Sequence, residues 1–216
     1  MSSLIQTIAV YAIPVLLGIT LHEAAHGYVA RMLGDSTAYD MGRVSLNPLR
    51  HIDPIGTIAV PLFLLFSSSL MGGQAFLFGW AKPVPVNFGR LRRPKQDMLW
   101  VALAGPASNL VMAIIWAMAL RMQVEAGSPI TGFWVQMAIA GVWVNLILMA
   151  LNLLPLPPLD GGRIVYSLLP NQLALQYGKI EPYGLLILIV LMFAGVLGAV
   201  LQPLLLFGQF IIRWFV

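Results

Sequence analysis

The chain has 216 residues, of which 59% are hydrophobic and only 9% charged, with a net charge of +4. A soluble domain of this length carries about a quarter of its residues charged, so the composition excludes a water-soluble globule. The absence of cysteine excludes disulfides, thiolate metal ligands and catalytic thiols. The basic residues gather in loops between apolar segments, which points to membrane orientation and not to a nucleic-acid partner.

Roughly 20 apolar residues cross a bilayer, and the uncharged runs 1–22, 98–120, 126–159 and 182–212 are each long enough. The start, Met1-Ser2-Ser3, lacks the positive region of a removable signal peptide. The first helix is expected over about 4–32, ending before Gly34-Asp35-Ser36. A polar stretch follows, with turn chemistry in Leu46-Asn47-Pro48 and Ile52-Asp53-Pro54. Residues 54–81 are apolar but broken by prolines, serines and glycines, and read as a re-entrant segment. Lys82-Pro83-Val84-Pro85-Val86 reads as extended chain, because each proline biases its predecessor away from helix. Further helices are expected over about 97–120 and 133–154, and a last apolar run over 183–215, where Pro203 permits a bend. The expected fold is an all-α polytopic membrane protein forming one domain over 1–216, with about five transmembrane helices (four to six).

With a re-entrant 54–80, the loops 31–53, 81–96 and 161–181 share one face. They hold all the basic residues from Arg31 to Lys179 except Arg121, which faces the other side. Positive loops stay cytoplasmic, so the first helix starts outside and ends inside.

Two of the three histidines stand in this first helix, in His22-Glu23-Ala24-Ala25-His26. An ionisable group at the bilayer centre costs about 2.5–3.5 kcal/mol on insertion scales, and such residues are usually functional. At about 100° per residue, His22 and His26 lie about 40° apart on one helix face, and Glu23 about 60° from His26. Two imidazoles so placed can share a zinc ion, with the glutamate as general base. A catalytic zinc site usually takes a third protein ligand. His51, in a polar loop, is one candidate. Asp160 is the more telling one: it follows the uncharged run 126–159 within Asn152-Leu153-Leu154-Pro155-Leu156-Pro157-Pro158-Leu159-Asp160-Gly161-Gly162. Irregular backbone at membrane depth is tolerated only inside protein or along a watery cavity. The alternative is a proline-rich helix exit capped by aspartate.

These residues resemble the site-2 protease family of intramembrane zinc metalloproteases. The likeness rests on His22-Glu23-Ala24-Ala25-His26, on Asn152-Leu153-Leu154-Pro155 leading to Asp160-Gly161, and on Gly105-Pro106-Ala107-Ser108-Asn109, which looks like the family's G-x-x-x-N motif. The resemblance implies His22, His26 and Asp160 as ligands of one zinc ion, Glu23 as catalytic base, and Asn109 and Asn152 as polar helpers near substrate. Asn109 suits helix–helix hydrogen bonding as well, since Gly105 and Ser108 favour close packing. Residues 72–86 look like the family's membrane-associated β-hairpin region, which engages substrate. Only 121–131 separate the second and third core helices, so the form is compact, without a PDZ domain there or a nucleotide-sensing domain after the last helix. The implied activity is peptide-bond hydrolysis in the transmembrane segments of single-span proteins, in a bacterial or archaeal cell membrane, from a site towards the cytoplasm. The rival readings are a metal-ion transporter and a non-catalytic membrane scaffold.

Overall fold

The computed structural model describes residues 2–59 and 82–215. Among these, every regular element is helical and none is a strand. Helix α1 spans Ser2–Met32, and the short α2 spans Thr37–Asp40. After a 3-10 turn at Pro48–Arg50 and a π-helical turn at Pro54–Ala59, the described chain resumes at Lys82 in extended form. Helices α3 (Pro94–Glu125) and α4 (Phe133–Asn152) follow, then α5 (Asp160–Leu168), α6 (Asn171–Gly178), α7 (Gly184–Phe193) and α8 (Leu197–Ile212). Among the described residues, four stretches are long and apolar enough to cross a membrane: Ile5–Met32, Pro94–Glu125, Phe133–Asn152 and Asn171–Phe193. The re-entrant reading of 54–81 and the β-hairpin reading of 72–86 fall largely outside the described residues, which give a π-helical turn at Pro54–Ala59 and extended chain, without a strand, over 82–86.

Helices α1, α3 and α4 pack against one another. Lipid tails are as apolar as leucine, so helices associate in a bilayer through close packing and hydrogen bonds, and small residues mark their interfaces. Gly18 on α1 faces Asn145 and Leu148 of α4, and Gly105 on α3 faces His22 and His26. A Cβ at Gly141 of α4 would stand 2.2 Å from the Trp116 ring. Ala113 and Ala117 of α3 meet Leu146 and Met149 of α4 and Ile212 of α8 in the largest core cluster. Ile115, Met118, Leu186, Phe207 and Phe210 point outward, as a lipid-facing surface requires.

Helix ends follow from glycine. Gly34 takes φ +115°, its N–H donates to Arg31 O, and Asp35 N–H donates to Ala30 O. This Schellman closure stops α1 where the sequence predicts. The last apolar run breaks likewise at Gly195 (φ +71°), with Val196 N–H on Leu191 O. Pro203, which permits a bend, lies inside α8. The run is two helices, and Leu188 of α7 shares a core cluster with Leu201 of α8, against which Leu197 packs.

The loops at one end of the bundle are tied together. Arg92 N–H donates to Leu33 O at 3.1 Å, Asn87 N–H to Asp35 Oδ2 at 2.6 Å, and Lys95 Nζ to Leu169 O and Asn171 Oδ1. Lys82 N–H donates to His51 O at 2.9 Å, which sets these two residues side by side.

Candidate active site

Helix α1 carries His22 and His26 one turn apart, and α5 carries Asp160 in its first turn. The segment before α5 brings Asp160 inward because its neighbours have no side chains. A Cβ at Gly161 would meet Leu154 O at 2.2 Å, and one at Gly162 would meet Pro157 N at 2.4 Å. Asp160 and its glycines therefore start a helix folded tightly onto the 153–157 backbone, where the sequence suggests irregular chain.

The three side chains converge. Asp160 Oδ2 lies 3.1 Å from His22 Nε2 and 3.2 Å from His26 Nε2, and the two Nε2 atoms are 3.1 Å apart. All three residues are buried. His22 Nδ1 donates to Asn109 Oδ1 at 2.6 Å, and His26 Nδ1 to Val101 O at 2.7 Å. The direction is fixed by the partners. Val101 O can only accept, and Asn109 already spends its Nδ2 on Gly18 O and Asn145 Oδ1, each at 3.1 Å, so its Oδ1 must accept as well.

Both imidazoles thus carry hydrogen on Nδ1 and, when neutral, turn Nε2 lone pairs towards each other and towards a carboxylate. Three lone pairs at 3.1–3.2 Å repel unless a cation or a proton lies among them. Asp160 Oδ2 accordingly lacks a conventional hydrogen-bond partner. A tetrahedral zinc ion with N and O ligands at roughly 2.0–2.2 Å needs them about 3.3–3.5 Å apart, close to what is found. Room is reserved there: a Cβ at Gly105 would come within 2.4 Å of His26 Nε2 and 2.6 Å of His22 Nε2. Two imidazoles and a carboxylate are a zinc-type donor set, and the residues fit the ion. Among the described residues this is the one His/Asp/Glu group close enough to hold a metal.

The cluster lines a cavity of about 400 Å³ together with Glu23, Asn152 and Arg163. Glu23 Oε2 accepts from Val84 N–H at 2.7 Å, which ties the extended 82–86 segment to the cavity wall. Asn152 Nδ2 donates to Leu148 O at 3.0 Å. A second cavity of about 330 Å³ shares Val86, Pro158 and Arg163 with the first. His51 stands apart: it is buried, and its Nε2 donates to Ser45 O at 2.9 Å.

Sequence reasoning missed Asn145, which is fully buried on α4 and holds Asn109 in place while donating to Gly141 O at 2.8 Å. The available signal was an amide midway along a helix whose other amides, Gln136 and Asn152, lie near its ends, with Asn152 seven residues on and on the same face.

The family model described as Peptidase family M50 matches residues 122–195, which include Asp160. A protein of Bacillus subtilis (strain 168) named "Putative zinc metalloprotease YwhC" is 37% identical over 208 residues, covering 91% of this chain and 86% of its own length. The similarly named Rip2 of Mycolicibacterium smegmatis is 32% identical over 185 residues, covering 85% of this chain and 66% of its own. Rip2 of Mycobacterium tuberculosis (strain H37Rv) is 27% identical over the same shares. No solved structure matches the chain.

Proposed function

The chain belongs to peptidase family M50, the site-2 protease family, and from that premise we propose that it cuts peptide bonds within the transmembrane segments of membrane-protein substrates. It is a metalloprotease, a hydrolase with zinc as its cofactor, and an integral membrane protein. The observation that carries the intramembrane reading is the position of the His22–His26–Asp160 cluster. His22 and His26 stand on a helix long and apolar enough to cross a membrane, and with Asp160 they line a cavity walled by apolar side chains such as Ile19, Leu148 and Leu188.

His22, His26 and Asp160 would hold one zinc ion per chain. When bound, zinc supplies Lewis-acid polarisation of the scissile carbonyl and lowers the pKa of attacking water. Asn109 Oδ1 and the Val101 carbonyl orient the two imidazoles by accepting hydrogen bonds from their Nδ1–H groups. Glu23 is the general base. Its Oε2 is occupied by Val84 N–H, so Oε1 is left to take a proton from water as the new C–O bond forms. The same atom returns that proton to the leaving nitrogen as the C–N bond breaks. Asn152 spends its Nδ2 on Leu148 O and keeps Oδ1 free to accept a substrate N–H. The substrate must be unwound to expose its carbonyls. The extended 82–86 backbone supports pairing with such a strand, and the adjoining cavity leaves room for chain beyond the cut.

The face that joins loops 31–53, 81–96 and 161–181 holds the basic residues, which supports a cytoplasmic opening of the site in a prokaryotic cell membrane. A single 1–216 domain would suffice for this chemistry. A transit path for metal would need ligand groups spaced across several helices, and among the described residues there is one.

The test is cleavage of candidate single-span proteins by purified enzyme, with and without a zinc chelator, beside Glu23→Gln. Cleavage that the chelator and the variant both abolish, with the cut inside the spanning segment, is the expected result. Full activity of Glu23→Gln would remove the base assignment, and cuts confined to soluble segments would remove the intramembrane one.

A further inference from the structure

The loop after α1 reaches back to the segment that touches Glu23. Arg43 Nη2 donates to Lys82 O at 2.9 Å and lies 3.4 Å from Pro83 O. Lys82 N–H donates in turn to His51 O at 2.9 Å. The same loop is folded on itself by His51 Nε2 on Ser45 O, at 2.9 Å, and by Arg50 on Gly42 O. Residues 82 and 83 are thus held from both sides by the 42–51 loop.

That grip is transmitted. Pro83 and Pro85 flank Val84, and each proline ring fixes its own φ and holds its predecessor extended. A segment so restricted moves as a short rod: displacing Lys82 displaces Val84. Val84 is the residue whose N–H donates to Glu23 Oε2 at 2.7 Å. Its side chain is buried, and it shares with Val44 the space left by Gly27, where a Cβ would meet Val44 Cγ2 at 2.7 Å and Val84 Cγ1 at 3.1 Å. Gly27 directly follows His26, so the loop and the rod dock on α1 beside the candidate site.

We propose that Arg43 is a positioning residue for Glu23: by clamping the Lys82 and Pro83 carbonyls it holds Val84 N–H on Glu23 Oε2 and so keeps Oε1 aimed into the cavity. The inference rests on the reading of Glu23 as general base. Arg43 has no place among the zinc ligands, and its guanidinium reaches the site only through the backbone of 82–84. Both contacts come from the one nitrogen Nη2; a lysine ammonium also carries several N–H donors, but on a flexible stem without the planar guanidinium, so it should restore the clamp in part.

The experiment compares Arg43→Ala, Arg43→Lys and Glu23→Gln in the full-length, zinc-loaded enzyme, reading zinc content, kcat and KM separately, and hydrogen exchange at the Val84 amide. Arg43→Ala is expected to keep stoichiometric zinc, lower kcat about ten- to hundredfold with little change in KM, and speed exchange at Val84. Arg43→Lys should recover part of both kcat and Val84 protection, and it stands in as the test if the alanine variant does not fold. Unchanged Val84 exchange in both Arg43 variants, or unchanged kcat alongside faster exchange, overturns the proposal. A fully active Glu23→Gln sinks the base reading instead, and it does so whatever happens to exchange in the Arg43 variants.

Discussion

His22 Nδ1 and Asn109 Oδ1 meet at 2.6 Å across the interface of α1 and α3, although 87 residues separate them. The contact decides which imidazole nitrogen faces the cavity. With Nδ1 committed to Asn109, Nε2 is free, and it points at Asp160 Oδ2. Outer hydrogen bonds of this kind typically change metal affinity by about 10–100-fold. Asn109→Ala should therefore weaken zinc binding by about that factor while the helices persist. Chelator competition beside helical circular dichroism reads both. An affinity equal to wild type would reduce Asn109 to a packing residue.

Gly105 offers a sharper test of the space between the histidines. A methyl group there would stand within 2.4–2.6 Å of both Nε2 atoms. Within a helix, Gly→Ala normally stabilises by roughly 0.5–1 kcal/mol, so backbone propensity cannot explain a loss. Gly105→Ala is expected to abolish stoichiometric zinc and, because the added methyl must push two buried imidazoles aside, to lower the melting temperature of the metal-free protein as well. Normal zinc content in that variant would mean the ion is held elsewhere.

The parts of this site that sequence discloses are those governed by local spacing. His22 and His26 are brought to one face by helical periodicity alone, and Asp160 stands out because nothing charged precedes it from residue 126 onward. Helix α1 stops at Gly34 because a positive-φ closure needs glycine. The rest depends on which helices meet. Asn145 is informative only once α4 lies against α1 and α3, and Val84 contributes a backbone N–H, which no side-chain pattern reveals. The last run shows the limit of reading breakers one at a time. Pro203 sits seven residues into α8 without ending it, whereas Gly195 closes α7.

Asp35 ties the loops at the end of the bundle where the cavity wall is built. Burial would raise its pKa, but donation from Thr37 Oγ1 at 2.5 Å, Thr37 N–H at 3.0 Å and Asn87 N–H at 2.6 Å outweighs it, helped by the Arg90 charge. The carboxyl is held below its usual range. A folded pKa below the unfolded one stabilises at pH above the unfolded value, about 3.9, and that stability is lost as pH falls through the folded value. Acid should thus loosen the 33–37 and 87–92 contacts. Asp35→Asn should lower the melting temperature at neutral pH and flatten its fall below about pH 5. Parallel melting curves for the two proteins across that range would exclude Asp35 as a source of acid sensitivity.

The assignment of the third ligand is the most exposed. Asp160 Oδ2 lies 3.1 and 3.2 Å from the two Nε2 atoms, whereas His51 Nε2 is spent on Ser45 O and, among the described residues, belongs to no metal-binding group. Asp160→Ala removes the carboxylate but keeps the glycines that fold α5 onto residues 153–157, so the helices should remain. Zinc affinity and proteolysis should be lost together. His51→Ala removes a hydrogen bond within the 42–51 loop and should leave zinc stoichiometric, with any deficit in kcat. Metal content and activity of both variants, measured side by side in detergent, decide the point. Stoichiometric zinc in Asp160→Ala beside a metal-free His51→Ala would transfer the ligand role to His51, and would require the polar loop to move into a cavity it does not line.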